Sequence, residues 1–150
     1  EGVGTRKMDL VHNGVLTNWL LDISCSTQLN TTTNGNAFRG LSSSPSPGTS
    51  NLMIEPGDSK PEELISSIKE GFLVTELIGS SVSIMTGDYS RGAGGFWIKN
   101  GKISHPISEA TIAGNLKEIF KKIVPANDVD ISSSITSPTL MIEDMVVAGN

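Results

Sequence analysis

Two histidines and one cysteine are the residues in this chain best suited to metal or nucleophile chemistry, and their spacing works against both. A zinc site draws three or four ligands from His, Cys, Asp or Glu, commonly with two of them one helical turn apart. His12 instead abuts an Asn-Gly turn signal, and His105 stands far away before a proline in an extended run. Each reads as an ordinary strand residue. Cys25 has no histidine that the sequence can place beside it, and a lone cysteine is more often a small apolar filler than a nucleophile. No serine occupies a G-x-S-x-G elbow. Gly101-Lys102 resembles the end of a phosphate loop, but Ile103 follows where Ser or Thr is needed, and a strand follows where a helix is needed. No catalytic residue and no metal ligand set is therefore assigned to this chain.

One constellation stands apart. Thr86-Gly87-Asp88 is a turn signal, and Arg91-Gly92-Ala93-Gly94-Gly95 sets one arginine among the smallest side chains. Phe96-Trp97-Ile98 is a strand-like run, and Asn100-Gly101 suits a two-residue hairpin because both positions tolerate positive φ. The expectation is a flexible loop hung on a rigid ribbon. Two roles stay open for it. The glycines serve a bulge or a positive φ, with Arg91 paired to Asp88 or a nearby Glu, or they let an extended peptide or a partner subunit approach the backbone.

These residues need elements to hold them. A chain of 150 residues supports one domain with a real core, so residues 1–150 are expected to form a single domain. An apolar fraction of 37% and aromatic content of 5%, with many Ser, Thr, Asn and Gly, point to β-structure and long loops. A formal charge of -5 argues against a nucleic-acid partner, which needs clustered Lys and Arg. No apolar run is long enough to span a bilayer, no signal peptide is recognisable, and the lone cysteine excludes an internal disulfide. A cytoplasmic location is expected. Because the chain opens on Glu1-Gly2-Val3, it is expected to be part of a longer protein.

Along the chain, residues 7–21 form a hairpin about Asn13-Gly14, and residues 23–29 a short helical turn. Residues 30–48, with three consecutive threonines and three consecutive serines, are expected to be a mobile loop, either disordered or a functional lid. Residues 51–55 read as a short strand. A first helix starts with Ser59 as cap, Pro61 in the first turn and Glu62 reaching back; Leu64, Ile65 and Ile68 form its buried stripe and Gly71 ends it. Residues 72–78 read as a buried strand, and residues 102–107 as the second arm of the Asn100-Gly101 hairpin. Asn115 caps a second helix with Leu116, Ile119, Phe120 and Ile123 on one face, Lys121 and Lys122 in its last turn, and Pro125 beyond. Residues 139–142 and 145–147 supply closing strands. The fold expected is mainly β (α+β): a curled antiparallel sheet or a distorted β-barrel with two packed helices.

Over nearly its whole length the sequence resembles the C-terminal domain of the TldD/PmbA family, peptide-maturation metallopeptidases also called modulators of DNA gyrase. The similarity lies in TGDYSRGAGGFWIKNGKI at 86–103, in Gly4-Thr5-Arg6, Glu55-Pro56-Gly57 and Leu73-Val74-Thr75-Glu76-Leu77, and in Thr111-Ile112-Ala113-Gly114-Asn115-Leu116 and Ser137-Pro138-Thr139-Leu140. In that family the TldD branch holds zinc through a His-Glu-x-x-x-His helix and a cysteine ahead of the closing strands. The helix is not part of this sequence, and the matching connection at 127–137 has no cysteine. The resemblance is therefore to the PmbA/TldE branch. It implies no cofactor on this chain, zinc in a TldD-like partner subunit, and a peptide or unfolded protein as substrate, with a homodimer as a further arrangement. Gly87, Asp88, Ser90, Arg91, Gly92, Gly95 and Phe96 are the substrate- or partner-binding residues it points to. The alternative is a stand-alone β-rich binding or scaffold module.

Overall fold

The computed structural model describes residues 1–149, Ser80 by its backbone. The chain divides into two compact units, Glu1–Met53 with Ser133–Ile135, and Ile54–Ser132 with Thr136–Asn150.

The first unit is built from very short elements. β1 (Val11–His12) and β2 (Val15–Leu16) pair antiparallel about Asn13 and Gly14, both at positive φ, as the turn signal requires. The ladder is shorter than expected. Beyond it, Thr17 Oγ1 and Asn18 Nδ2 both donate to Asp9 O, and side chains of this kind compete with a continuing ladder. α1 (Ile23–Gln28) lies where the sequence placed a helical turn. Its cap is Asp22, 2% exposed, whose Oδ1 accepts the Cys25 N–H at 2.6 Å, a cap of about 1 kcal/mol. β3 (Ala37–Phe38) and β4 (Ser46–Pro47) pair antiparallel inside residues 30–48, so that stretch holds a ladder of its own. β5 (Leu52–Met53) is the strand expected at 51–55, and the Leu52 N–H donates to Ser134 O.

The second unit begins with α2 (Pro61–Ser67), whose start and end both differ from expectation. Lys60, not Ser59, is the cap, because Pro61 takes the first helical position and makes its predecessor the boundary. Lys60 has no acceptor to offer, and Glu63, not Glu62, reaches back to the Lys60 N–H at 2.9 Å. The helix stops before Gly71: the Ser66 and Ser67 hydroxyls donate to Glu63 O and Leu64 O, tying up the last carbonyls. Leu64 is buried, with Ile65 and Ile68 partly so.

Next come three long strands: β6 (Glu70–Val82), β7 (Asp88–Lys99) and β8 (Lys102–Asn115). α3 (Leu116–Ile119) follows, then β9 (Ile123–Pro125), β10 (Ile135–Thr136), of which Ile135 belongs to the first unit, β11 (Leu140–Ile142) and β12 (Val146–Gly149). The main sheet has the order β12-β8-β7-β6, antiparallel throughout, with β9 and β11 forming a separate ladder. The fold is mainly β, but the barrel alternative is not realised. Four strands with β12 covering only residues 110–113 of β8 are too few to close a sheet on itself. Residues 72–78 are not a buried strand either: β6 is an edge, with Leu77 and Ile78 exposed. The second helix is a single turn. Asn115 caps it as expected, its Oδ1 accepting the Lys117 N–H, but residues 123–125 leave the helical path to pair with β11. Lys121 and Lys122 therefore lie beyond the helix, where Lys121 meets Glu118 and Lys122 meets Asp144.

Candidate functional site

The glycine-rich stretch is not a flexible loop but the inner strand β7, paired with β6 on one side and β8 on the other. Glycine is disfavoured inside strands unless another backbone must come close. Gly95 meets that condition. A Cβ there would collide with the Leu73 carbonyl oxygen and lie 3.0 Å from Leu73 C and 3.1 Å from Thr75 N, all backbone atoms unable to swing aside. Close by, β6 slips register between Val74 and Glu76. Thr75 Oγ1 at that irregularity donates to Gly94 O. These contacts favour the conformational role for Gly95.

At the other end of β7 the Thr86-Gly87-Asp88 turn is held by a compact network. Thr86 Oγ1 donates to Asp88 Oδ2 at 2.7 Å, and Asn115 Nδ2 donates to Asp88 Oδ1 at 3.2 Å and Thr86 O at 3.0 Å. The Gly87 N–H donates to Ser83 O, and Gly87 O accepts the Leu116 N–H, both at 2.7 Å. Asn115 thus joins the β6–β7 turn to the start of α3. Its capping role was legible in the sequence; its hold on Asp88, from 27 residues away, was not. The same network presents Ile84 and Met85, 94% and 93% exposed, at the tip of the turn.

Arg91 does not pair with Asp88. Three positions apart on a regular stretch of strand, the two point to opposite faces. Arg91 takes part in no ion pair among the described residues, and its Nε is buried without a hydrogen-bond partner. Directly across β8 stands Ile112, 7% exposed, so the arginine stem lies along an apolar face. Ser90 pairs with Ser81 and Ala113, Gly92 with Ile78 and Thr111, and Phe96, 39% exposed, with Leu73 and Pro106. The seven candidate residues therefore form a row. Asp88 and Phe96 lie about 25 Å apart along the strand, too far to share one small-molecule pocket.

The other chemistry-bearing residues are not brought together. His12 Nδ1 lies 3.6 Å from Asp9 Oδ2, and His105 Nδ1 3.2 Å from Ser104 Oγ. The thiol of Cys25 is held above its usual pKa, first by its hydrogen bond with Asp22 and then by burial and the negative charge of that carboxylate, the opposite of what a nucleophile requires. Among the described residues no group of three or more His, Cys, Asp or Glu could hold a metal ion. These donors do not fit a zinc ion.

Residues 1–149 match the family described as PmbA/TldA metallopeptidase C-terminal domain, and the chain belongs to that family. It is 39% identical over 150 residues to Metalloprotease PmbA of Escherichia coli O157:H7, covering 99% of this chain and 31% of that protein. To the Metalloprotease TldD homolog of Buchnera aphidicola subsp. Schizaphis graminum it is 28% identical over 166 residues, 99% of this chain and 34% of that protein. The crystal structure of TldE from Thermococcus kodakarensis superposes with a TM-score of 0.87 at 26% identity, over 99% of this chain and 35% of that one. The chain thus spans about a third of the length of these relatives, and is more similar to PmbA than to the TldD homolog.

Proposed function

We propose that this chain is the C-terminal domain of a PmbA/TldE-type subunit that works with a TldD-like subunit in a cytoplasmic zinc metallopeptidase complex processing peptides or unfolded proteins. In that complex the domain supplies interface and part of the wall of the substrate channel, and the TldD-like subunit supplies the metal. The observation that carries this reading is the identity to PmbA, 39% against 28% to a TldD homolog. Supporting it, Ile84 and Met85 stand exposed on a turn already fixed by Thr86, Asp88 and Asn115. A pre-ordered apolar tip loses little entropy when a partner covers it. Gly87 and Asp88 hold that tip. Ser90, Arg91, Gly92, Gly95 and Phe96 make β7 a stiff wall, in which the buried Arg91 Nε has no hydrogen-bond partner among the described residues.

The test is cleavage of an unstructured peptide by the TldD-like subunit, with and without the full-length protein carrying this domain, in the presence of zinc. Cleavage only when both are present is the expected result. Cleavage indifferent to this protein overturns the proposal in favour of a scaffold module. Cleavage by this protein alone overturns the assignment of the metal to the partner.

A further inference from the structure

The first unit contains an open cleft of about 670 Å³ that none of the β7 residues line. That volume lies within the range of pockets that accept small ligands or short peptide segments. Its polar lining divides into two sets. One is spent on holding the walls: Asn34 Oδ1 accepts the Leu21 N–H at 3.0 Å while Asn34 Nδ2 donates to Trp19 O at 2.7 Å, and Thr33 Oγ1 donates to Leu21 O. Thr17 and Asn18 are similarly bound to Asp9 O. The other set is free for a ligand. Arg6 enters no ion pair among the described residues, and Thr31 and Thr32 are exposed beside it on the lining. The apolar lining is Trp19, 53% exposed, Leu29, 48% exposed, and Leu21, 9% exposed.

One guanidinium, two hydroxyls and an indole with its neighbouring leucines match a short list of ligands. A phosphate-rich chain would need several cations, and Arg6 is the sole cationic side chain of the lining, in a chain of net charge -5. A neutral sugar would leave the guanidinium unanswered. A carboxylate matches the guanidinium fork in charge and geometry, and an apolar side chain next to it would cover Trp19, Leu21 and Leu29. We propose that this cleft binds a polypeptide segment carrying a carboxylate beside an apolar side chain, with Arg6 taking the carboxylate and Trp19 the apolar group. The site is separate from β7, and its binding is measured without a partner subunit, so it stands or falls independently of the proposed peptidase complex.

The experiment uses the full-length protein carrying this domain and isothermal titration with an N-acetylated hexapeptide of glycine and serine ending in phenylalanine, as free acid and as amide. The free acid is expected to bind about tenfold or more tightly than the amide, the scale of one charge-assisted hydrogen-bonded pair. Arg6→Gln should erase that difference, Arg6→Lys should restore part of it, and Trp19→Ala should weaken both peptides alike. A third, amidated peptide with glutamate before the phenylalanine separates the two sources of carboxylate: binding like the free acid shows that a side-chain carboxylate serves as well as a terminus, and binding like the amide restricts the site to a chain terminus. Acid and amide binding equally, no binding of either, or an Arg6→Gln protein of native circular dichroism that still prefers the acid would each overturn the proposal.

Discussion

Asn13-Gly14 and Asn100-Gly101 adopt nearly the same pair of left-handed conformations, with φ of 49° and 76° in the first turn and 50° and 73° in the second. The first closes arms of two residues each; the second closes arms of 12 and 14. The turns differ in what surrounds them. A Cβ at Gly14 would meet nothing within 4 Å, whereas one at Gly101 would lie 2.5 Å from Ser66 O and 3.1 Å from Ser66 Cα. The Asn100 and Gly101 N–H groups also donate to Lys69 O and Ile68 O, at 2.7 Å each. Turn chemistry therefore starts a hairpin, and packing beside it decides how far the ladder runs. In the first unit side chains take over the backbone groups within a residue or two of the ladder; in the second, backbone packs on backbone.

The largest effect should come from attacking that backbone packing. Gly95→Val places a branched side chain where Leu73 O already stands, and no rotamer change relieves it. A loss of more than about 4 kcal/mol, the range reached only by severe packing or strain, is expected in urea unfolding. Activity of any complex should fall in step with the folded fraction. A Gly95→Val protein with an unchanged unfolding midpoint would show that β6 and β7 do not approach as closely as described, and would return the stretch to a ligand-contacting role.

A paired substitution sharpens the contrast between the turns. Gly14→Ala should cost about 1 kcal/mol, the left-handed penalty alone. Gly101→Ala incurs the same penalty and a clash with the Ser66 backbone, for about 2 kcal/mol or more. Equal losses in urea unfolding midpoints would mean that the Ser66 contact relaxes and that side-chain space does not distinguish the two turns.

What the sequence made legible follows the same division. Both Asn-Gly turns, the short helix after Asp22 and the Asn115 cap rest on local chemistry, and each is present. The strand character of residues 91–95 is not legible in the sequence, because glycine is a poor strand former and the Leu73 and Thr75 backbone that accounts for Gly95 lies across the sheet. The second helix is shorter than its apolar period predicts, for a related reason. Ile119, Phe120 and Ile123 fit a helical stripe, but residues 123–125 find partners in β11, and a non-local ladder overrides a local period. Residues 72–78 are more exposed than their apolar run implies, because the sheet order leaves β6 at an edge. The candidate binding residues are contiguous enough in sequence to be read as one segment, whereas the link from Asp88 to Asn115, 27 residues away, is visible only in the fold.

The smallest effect tests whether the margin of the second unit is held in the manner of the first, by side chains. Asp128 accepts the Thr139 hydroxyl at 2.7 Å and the Thr139 N–H at 2.8 Å, clasping the chain beside the β9–β11 ladder. Those two bonds, the hydroxyl one first, hold its carboxyl below the ordinary aspartate range. A folded-state pKa below the unfolded value means that the ionised clasp stabilises the fold above the usual carboxylate pKa, and that this contribution is lost as pH falls through the depressed value. Asp128→Asn should therefore lower the urea midpoint slightly at pH 7, with the difference from wild type shrinking towards zero as the pH is taken below the ordinary aspartate range and through the depressed value. A difference that persists unchanged in acid would show that Asp128 acts through packing alone, and that backbone ladders hold the margin as they do the centre.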